Sequence, residues 1–462
     1  MIAGFRHASL ILLLLAQIVA AVRVIARLAR TASGARIAAG TAASSDSLDD
    51  FGSVTVLVPV LDEEHRLAPC LAGLSAQPPS VAEILVVDGG STDRTRDVAA
   101  AAIADDPRIR WIDASPVPAG WNGKAWGLQR GFERRDRRTR WVLTIDADVR
   151  PGRGLVPSLL AHARRENLGA FSVATPQRVS GLIEGVVHPA LLASLVYRYG
   201  IPGRAETDPE GVQANGQCFL ARTEILEGIG GFEGGRHAIS EDVTIARELT
   251  RRGVSVGFFE PEPGAGLVEV EMYASGRDAW TNWTRSLPMR DERSGWGWWL
   301  RMADLTLTLG LPPLVLLAGL IAIARKRRQQ SVWRERFPRV VPDGHGGRWV
   351  PIRRHGTAPM PATGRPLQSL GAGFNAVTRK RRQQTPWRMC VRLNAGLVIM
   401  RIGVAAGMRR AYRNPPWTYW CSVLVDPLTV LKLWSSAVRR QHTWRGRPVR
   451  RGYNDEQDAG VS

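Results

Sequence analysis

The chain has 462 residues, too many for one compact core and enough for a globular domain together with membrane segments. It carries 62 lysine and arginine residues against 42 aspartate and glutamate residues, a net charge of +20 that predicts an anionic partner, either nucleic acid or lipid head groups. Basic clusters such as residues 325–328 stand beside apolar runs, and the sequence lacks zinc-ligand spacings and RNA-binding aromatic motifs, so the membrane is favoured over nucleic acid.

The N-terminal region, residues 1–30, is predicted to be a membrane anchor. Residues 8–22 are apolar, and Arg23, Arg27 and Arg30 follow at once, which favours an anchor with its carboxyl side in the cytoplasm. A secretory signal peptide is the alternative for the same residues. The cysteines of the chain are scattered, so a reducing, cytoplasmic setting without a disulfide framework is the simpler expectation.

After a small, polar linker at residues 31–50, strands and helices alternate along the chain. Strands are predicted at residues 53–60, 83–88, 108–112, 141–145, 170–175 and 254–259, and helices at residues 66–76, 95–104, 124–134, 155–166 and 243–252. This alternation predicts an α/β domain with a parallel sheet and right-handed crossovers. The apolar residues 184–199 are either a core helix or a helix against the membrane, and residues 216–232 are Gly-rich.

The predicted strand at residues 141–145 ends in two carboxylates, Asp146 and Asp148. Open α/β sheets bind ligands at the carboxyl ends of their strands, so both side chains are candidates for a ligand site. Two residues apart on the loop that follows the strand, both side chains can reach one divalent cation or one diphosphate–metal complex. Their carboxylate oxygens are hard ligands, which suit Mg2+ or Mn2+. The alternative is a strand followed by a helix-capping aspartate.

Four further polar stretches stand at the ends of predicted strands or at the starts of helices. They are Pro59-Val-Leu-Asp-Glu-Glu64, Asp88-Gly-Gly-Ser-Thr-Asp93, Gly120-Trp-Asn-Gly-Lys124 and Ser240-Glu-Asp242. Each has an ordinary alternative on its own, such as a capped Gly turn, carboxylates in the first turn of a helix, or a solvated lysine. Together, in one sheet, they are hard to explain as turns and predict a single site.

The order and spacing of these residues, over roughly residues 54–287, resemble the family 2 glycosyltransferases of the GT-A fold. The family's Pro-x-x-Asn-Glu-Glu motif is present with Asp62 in the Asn place, and its Asp-Asp-Gly-Ser-x-Asp motif with Gly89 in place of the second Asp. The Gly-Lys before a helix, the Asp-x-Asp motif and the Glu-Asp pair also match. The resemblance implies a GT-A domain at residues 51–287, a Rossmann-like, mostly parallel sheet with helices on both faces.

By this resemblance the chain is an inverting hexosyltransferase that uses a nucleoside-diphosphate sugar with Mg2+ or Mn2+. The implied roles are general base for Asp242 beside Glu241, metal ligands for Asp148 and Asp146, and donor contacts for Pro59, Asp62, Glu63, Asp88, Lys124 and Asp146. Asp88 is expected at the nucleotide base or the ribose. The base takes a hydroxyl proton as the nucleophile attacks the anomeric carbon, and one displacement inverts the configuration.

The C-terminal region is predicted to hold membrane segments. Residues 288–324 combine a Trp-rich interfacial segment with a membrane helix that Pro312-Pro313 would kink or break. Residues 391–440 contain two weaker apolar runs, which are membrane, re-entrant or interfacial helices. Each run carries two charges that weaken it, Arg392 and Arg401 in the first and Asp426 and Lys432 in the second.

A basic decapeptide at residues 325–334 recurs at residues 379–388, within a Gly/Pro-rich basic insertion at residues 325–390. A basic and then acidic tail occupies residues 441–462. If the globular domain is cytoplasmic and residues 305–324 span the membrane, the insertion lies outside, against the positive-inside rule. A hairpin or an interfacial helix at residues 305–324 would remove this conflict.

Residues 272–286 and 426–450 look like those of the membrane-bound carotenoid glycosyltransferases, including the diaponeurosporenoate enzymes, and of hopanoid-associated glycosyltransferase-like proteins. Trp280, Trp283 and Arg285 are the expected acceptor contacts. We therefore expect transfer to a carotenoid or other isoprenoid hydroxyl or carboxyl at the cytoplasmic face of the cell membrane, without a nucleic-acid partner. The alternatives are a dolichol-phosphate-type or polysaccharide-forming family 2 enzyme and, in another class, a non-catalytic basic membrane-binding protein on a decayed transferase fold.

Overall fold

The computed structural model describes residues 2–40, 53–179, 181–273, 275–290, 295–336, 340–342, 349–351, 368–439, 441–444 and 447–450. Part of the predicted linker (residues 41–50), part of the predicted insertion (residues 352–367) and the end of the predicted tail (residues 451–462) lie outside the described residues.

The strands form one large sheet, one small sheet and two hairpins. They are β1 (Arg36–Ile37), β2 (Val54–Val60), β3 (Val81–Asp88), β4 (Ile109–Asp113), β5 (Trp141–Ile145), β6 (Val149–Pro151), β7 (Ala170–Val173), β8 (Gln177–Arg178), β9 (Arg204–Glu206), β10 (Cys218–Arg222), β11 (Val256–Pro261), β12 (Val268–Val270), β13 (Val340–Pro342), β14 (Trp349–Pro351), β15 (Tyr412–Arg413), β16 (Gln441–Trp444) and β17 (Arg447–Arg450). The hairpins are β13–β14 and β16–β17.

Among the described residues, the large sheet has nine strands in the order β1-β11-β7-β10-β5-β2-β3-β4, with β9 paired to β11. Strands β2 to β5 are parallel, as the alternating sequence predicted. They are near-continuous apolar runs because both faces of the sheet are covered. Strand β10 runs antiparallel between β5 and β7, so the sheet is mixed, and this strand lies in the stretch that was noted only as Gly-rich.

Helices cover both faces of the large sheet, and others pack beyond it. They are α1 (Ile2–Thr31), α2 (Leu67–Ser75), α3 (Thr95–Asp105), α4 (Gly123–Arg134), α5 (Leu155–Arg165), α6 (Leu182–Tyr199), α7 (Thr223–Gly228), α8 (Glu241–Arg251), α9 (Gly276–Ser286), α10 (Trp296–Leu305), α11 (Leu311–Arg336), α12 (Gln368–Met408) and α13 (Asp426–Val438). Along β2, Val56 and Val58 pack with α2 and α5 on one face, and Leu57 packs with α4 and α8 on the other. This is the predicted mostly parallel sheet between two helical layers.

The small sheet joins the C-terminal part of the chain to the globular part. Its order is β15-β8-β12-β6. Strand β15 follows α12 by one 3-10 turn, Arg409–Ala411, and its Tyr412 pairs with Gln177 of β8. The end of α12 is therefore fixed against the strands that follow Asp146 and Asp148.

Within the described residues, four segments are long and apolar enough to cross a membrane: Ala8–Thr31, Trp296–Gln329, Trp387–Ala411 and Trp417–Val438. The first is longer than the apolar run noted in the sequence. The second is one continuous helical segment, so of the kink or break expected at Pro312-Pro313 the break is wrong. The turn before these prolines, Thr306–Gly310, is π-helical, and this wider turn accommodates residues that lack an amide donor.

Buried polar groups connect these segments. Gln17 Nε2 donates to Asn394 Oδ1 (2.9 Å) and to the carbonyl of Leu307 (3.0 Å), which joins α1, α12 and the π-helical turn. The Arg401 guanidinium donates to both carboxylate oxygens of Asp426 (2.9 and 3.2 Å), and both side chains are buried. Two of the four charges that weakened the predicted helices, one in each apolar run, therefore neutralise each other.

The last apolar segment, Trp417–Val438, combines a 3-10 helix, Trp417–Val425, with α13. Near one end the Thr418 hydroxyl donates to the carbonyl of Leu182, and near the other Arg290 donates to the carbonyl of Ala437. Both ends thus contact parts of the chain that lie outside the apolar segments. This favours the re-entrant or interfacial alternative for this segment over a crossing.

Helices α11 and α12 run side by side, with Gly319 of one next to Val391 of the other. Residues 325–328 and 379–382, which carry the repeated basic motif, are helical and lie beyond the apolar parts of these helices. Because residues 305–324 are helical throughout, they form no hairpin of their own. The interfacial helix is then the alternative that would reconcile a cytoplasmic globular domain with the positive-inside rule at this insertion.

Candidate active site

Two loops at the carboxyl ends of β2 and β3 hold each other in place. Asp62, at φ 53°, accepts a hydrogen bond from the amide of Thr92 (2.8 Å), and its own amide donates to Ser91 Oγ (3.0 Å). Asp88 is buried and accepts from the amide and the hydroxyl of Ser91 (3.0 and 2.5 Å). These bonds engage Asp62 and Asp88 within the loops and fix the shape of the sheet edge beside them.

Asp146 and Asp148 begin the loop after β5, as the sequence predicted. Asp148 is partly exposed, yet its Oδ1 atom is buried and has no hydrogen-bond partner among the described residues. Burial, together with the negative charges of Asp146 and Glu63, raises the pKa of Asp148 to about 8. Ionisation of Asp148 is therefore unfavourable here unless a positive charge is added beside it.

The carboxylates fit a divalent cation that is shared with a substrate. The part of the chain that the structure describes contains no group of three or more His, Cys, Asp or Glu side chains placed to hold a metal alone. Mg2+ and Mn2+ are commonly held by one or two carboxylates together with substrate phosphates. The partnerless Oδ1 of Asp148 and the adjacent Asp146 supply such a donor set, and a cation would offset their charge.

Lys124 joins the Asp146 loop to the start of α8. Asn122 caps α4 by accepting a hydrogen bond from the Lys124 amide (3.0 Å). Lys124 Nζ lies 2.8 Å from Asp146 Oδ1 and 2.8 Å from Glu241 Oε1. Although burial opposes it, the charges of Asp146, Glu241 and Asp242 raise the pKa of Lys124 well above its ordinary value. The lysine is therefore a fixed positive charge among three carboxylates.

Asp242 is held by two backbone amides at the start of α8. Its Oδ2 accepts from the amide of Gly216 (2.6 Å) and its Oδ1 from that of Val243 (2.8 Å). Burial and the neighbouring Glu241 raise the pKa of Asp242 to about 7, while Lys124 and the two amides act in the opposite direction. A carboxyl group with a pKa close to neutrality on a cavity wall is a candidate general base.

The sequence analysis missed the polar loop at residues 213–217, which supports both carboxylate pairs. The Asn215 side-chain amide donates to Gln217 Oε1 (2.9 Å) and to Thr175 Oγ1 (3.2 Å). The carbonyl of Gln217 accepts from the Asp146 amide (3.3 Å), and the intervening Gly216 holds Asp242. The sequence pattern that could have revealed this loop is a run of polar residues with a glycine directly before an apolar strand.

Described residues form one continuous cavity of about 1370 Å³ around these groups. Its lining includes most of the predicted site residues: Pro59, Asp62, Glu63, Lys124, Asp146, Asp148, Glu241, Asp242, Trp283 and Arg285. Asp88 and Trp280 are not among its lining residues. Asp88 is enclosed in its loop, while Trp280 packs against the hydrophobic cluster that contains Leu287 and Trp298.

The cavity has an apolar end as well as a polar one. Ile25 and Leu28 of α1, Leu195 of α6, and Met400 and Val404 of α12 line it. Two of these three helices belong to segments apolar enough to cross a membrane. The carboxylates of the site and side chains of the apolar helices therefore line the same cavity.

Aromatic and basic residues of the 272–286 stretch line the same cavity. Tyr273 and Trp283 have ring centroids 6.3 Å apart, and Trp283 also packs on the buried His188, at 4.3 Å between centroids. Burial raises the pKa of Tyr273, and the charge of Asp148 acts in the same direction. Burial lowers the pKa of Arg285, while the nearby Tyr273 and Glu241 oppose this shift. Tyr273, Trp283 and Arg285 thus line the same cavity as both carboxylate pairs.

Residues 55–230 match the family described as Glycosyl transferase family 2. The matched residues include the loops that carry Asp62, Asp88, Asp146 and Asp148, while Glu241 and Asp242 follow the match. The GT-A arrangement of the sheet and the position of these carboxylates agree with this match. The protein is a glycosyltransferase, and its residues 55–230 are similar to the family 2 enzymes.

No curated protein matches this chain. Similar solved structures include a mannosyltransferase from Pyrobaculum calidifontis in complex with GDP-Man and Mn2+, at 17% identity and a TM-score of 0.44, with 87% of this chain and 98% of that chain covered. Glucosyl-3-phosphoglycerate synthase from Mycobacterium tuberculosis is 20% identical with a TM-score of 0.35, over 51% and 77% of the two chains. TarS from S. aureus is 14% identical with a TM-score of 0.35, over 55% and 42%. The assignment rests on the family match and the site, not on these similarities.

Proposed function

We propose that this glycosyltransferase moves a sugar, with inversion, from a nucleoside-diphosphate sugar to the hydroxyl or carboxyl group of an isoprenoid lipid, with a carotenoid as the preferred class. The reaction takes place at the cytoplasmic face of the cell membrane. The observation that supports this proposal is the single cavity with carboxylates at one end and membrane-helix side chains at the other. A water-soluble acceptor would gain no binding energy from the apolar end of the cavity.

The size of the cavity supports two substrates. Its volume of about 1370 Å³ exceeds the roughly 300–1,000 Å³ that is usual for a small-molecule site. The polar end suits a charged nucleotide sugar, and the apolar end suits a hydrocarbon chain. A lipid alcohol whose polar end points at Asp242 would fill the remaining space.

At the donor end, Asp146 and Asp148 would hold Mg2+ or Mn2+ together with the diphosphate. The cation, when bound, supplies positive charge that offsets the negative charge on the departing nucleoside diphosphate. Lys124 fixes Asp146 through its ion pair and adds a second positive charge beside it. Pro59, Asp62 and Glu63 would line the donor, and Asp88 would shape the loop beside the base or ribose.

Asp242 would be the general base. As the acceptor hydroxyl oxygen bonds to the anomeric carbon, the bond from that carbon to the diphosphate breaks, and the hydroxyl proton passes to the Asp242 carboxylate. The base and the leaving group act on opposite faces of the sugar, so the configuration inverts. Glu241, held by Lys124, would position this base and raise its pKa. Trp283 and Arg285 would contact the polar end of the acceptor.

The test uses detergent-solubilised full-length protein with Mn2+, offered UDP- and GDP-sugars with and without a pigmented lipid extract. Release of nucleoside diphosphate is followed for the wild type, for Asp148→Asn and for Asp105→Asn, a matched change at an exposed position on α3. Release that requires the extract, persists in Asp105→Asn and falls in Asp148→Asn supports the proposal. Mass spectrometry of the extract then names the acceptor.

Other outcomes would reject part or all of the proposal. A sugar found on a polyprenyl phosphate or on a growing polysaccharide would select the alternative acceptor class. Asp242→Asn separates the two lipid groups: a hydroxyl acceptor needs the base, so a loss of about a hundredfold or more is expected, whereas a carboxylate acceptor is already deprotonated. Nucleotide release without any glycosylated lipid would overturn the lipid acceptor.

A further inference from the structure

The apolar end of the cavity is made from one side of each of three helices. In α1, Ile25, Leu28 and Ala29 line it, at spacings of three and four residues that place them on one face, and Ala32 follows directly after the helix. The other two faces belong to α6 and to the last turns of α12. The cavity is therefore bounded by helix surfaces that face one another without closing the space between them.

The face that α12 contributes contains two glycines, Gly403 and Gly407, both of which line the cavity. A Cβ added at either position would meet no atom of the described residues within 4 Å. Two glycines of the neighbouring helical segment differ, since a Cβ at Gly310 would lie 3.2 Å from Val430 and one at Gly319 would lie 3.6 Å from Val391. Gly310 and Gly319 pack against other helices, whereas Gly403 and Gly407 border open space.

Glycines four residues apart on a membrane helix usually let a second helix approach closely. No described helix occupies the surface of Gly403 and Gly407, so the space that their missing side chains leave belongs to the cavity. The apolar residues Met400, Val404 and Met408 lie beside the glycines, and Arg410, one turn further along, is paired with Glu260 at 2.9 Å. An unbranched or methyl-branched hydrocarbon chain fits such a surface, whereas a charged or hydrated group does not.

We propose that the Gly403–Gly407 face of α12 is the passage that holds the apolar chain of the acceptor while its polar end reaches Asp242, and that its width selects the acceptor by chain shape. This rests on the proposed transfer to a lipid. A Cβ at either glycine meets no neighbouring atom within 4 Å, so the helix accommodates the first carbon of a side chain, and a leucine there would extend into the passage and narrow it.

The experiment compares Gly403→Leu and Gly407→Leu with Ala406→Leu. Ala406 lies between the two glycines on the same helix, is exposed, and does not line the cavity, so its substitution adds a leucine at a similar depth outside the cavity. The probes are zeaxanthin, a long carotenoid with terminal hydroxyls, and geraniol, a short isoprenoid alcohol. Titration with the donor nucleotide checks that every variant is folded.

For the glycine variants, kcat/KM with zeaxanthin is expected to fall about tenfold or more, the effect of modest overpacking on binding. The loss with geraniol should be clearly smaller, because a short chain ends before the passage. Gly403→Ala should give an intermediate loss, and Ala406→Leu should match the wild type with both alcohols. Equal losses with long and short alcohols, or equal values for Gly403→Leu and Ala406→Leu with zeaxanthin, would overturn the passage. A wild type that glycosylates neither alcohol nor any extract lipid would instead overturn the proposed function.

Discussion

The pH dependence of transfer is expected to show an acidic limb whose midpoint follows Asp242. Burial and the carboxylate of Glu241 raise the pKa of Asp242 to about 7. A base must be deprotonated to accept the acceptor's proton, so protonation below this midpoint removes activity, and a higher pH restores it. Below the midpoint, kcat should fall about tenfold for each pH unit, because the deprotonated fraction falls by that factor.

Replacing Glu241 with glutamine tests the cause of this midpoint. The change removes a negative charge that raises the pKa of Asp242, so the midpoint should move to lower pH. An interaction of about 1.4 kcal/mol corresponds to one pKa unit. By Coulomb's law with an effective dielectric constant of about 20, two unit charges interact with this energy at a separation of roughly 12 Å. The carboxylates of the adjacent residues Glu241 and Asp242 lie within that separation. We therefore expect a downward shift of about one unit.

The assay measures initial rates of nucleoside diphosphate release at saturating donor, acceptor and Mn2+ across the pH range. Glu248→Gln is the matched control, since Glu248 lies further along α8, does not line the cavity and should leave the midpoint in place. Asp242→Asn should abolish the limb together with most of the activity toward a hydroxyl acceptor. An unmoved midpoint in Glu241→Gln, or a wild-type rate that is flat through neutrality into acid, would refute the assignment of Asp242 as the base.

Two further predictions concern stability and are read from thermal unfolding in detergent. Asp426→Ala leaves the buried guanidinium of Arg401 without its anion and should lower the free energy of unfolding by about 3–5 kcal/mol. The double variant that also carries Arg401→Met should regain most of this loss. A double variant no more stable than Asp426→Ala would contradict this account. Gly73→Ala should lower the free energy of unfolding by about 1–3 kcal/mol, because its Cβ would lie 2.4 Å from the carbonyl oxygen of Pro151. Gly228→Ala is the control: its Cβ would have no described atom within 4 Å, so its stability should change little. Equal melting temperatures for the two alanine variants would count against this close packing.

The parallel part of the fold was predictable because the sequence pattern of each strand and helix lies within a short stretch of the chain. Strands such as β2 and β3 are apolar runs bounded by polar turns, and the helices between them repeat at regular intervals. Strand β10 escaped prediction because Cys218–Arg222 is short and follows a polar, Gly-containing loop. Its antiparallel place between β5 and β7 is a long-range pairing that no local pattern encodes.

The meeting of the carboxylates was predictable for a topological reason. Parallel strands bring their carboxyl ends to one edge, so Asp62 and Asp146 line the same cavity although they are far apart in sequence. The contact of Lys124 with Glu241 was not predictable, because it depends on how two helix starts face each other. The same holds for the pairing of membrane-segment charges and for the apolar wall of the cavity, which depend on helix packing.

Helix α1 has a consequence for anyone who wishes to handle this enzyme in water. Its residues Ile25 and Leu28 form part of the cavity wall, so the helix contributes to the substrate site in addition to any role as a membrane anchor. A shortened protein without this helix would keep the carboxylates and Lys124, and could serve for screening sugar nucleotides. It would lack one side of the apolar end, so acceptor screens that use such a fragment would return false negatives.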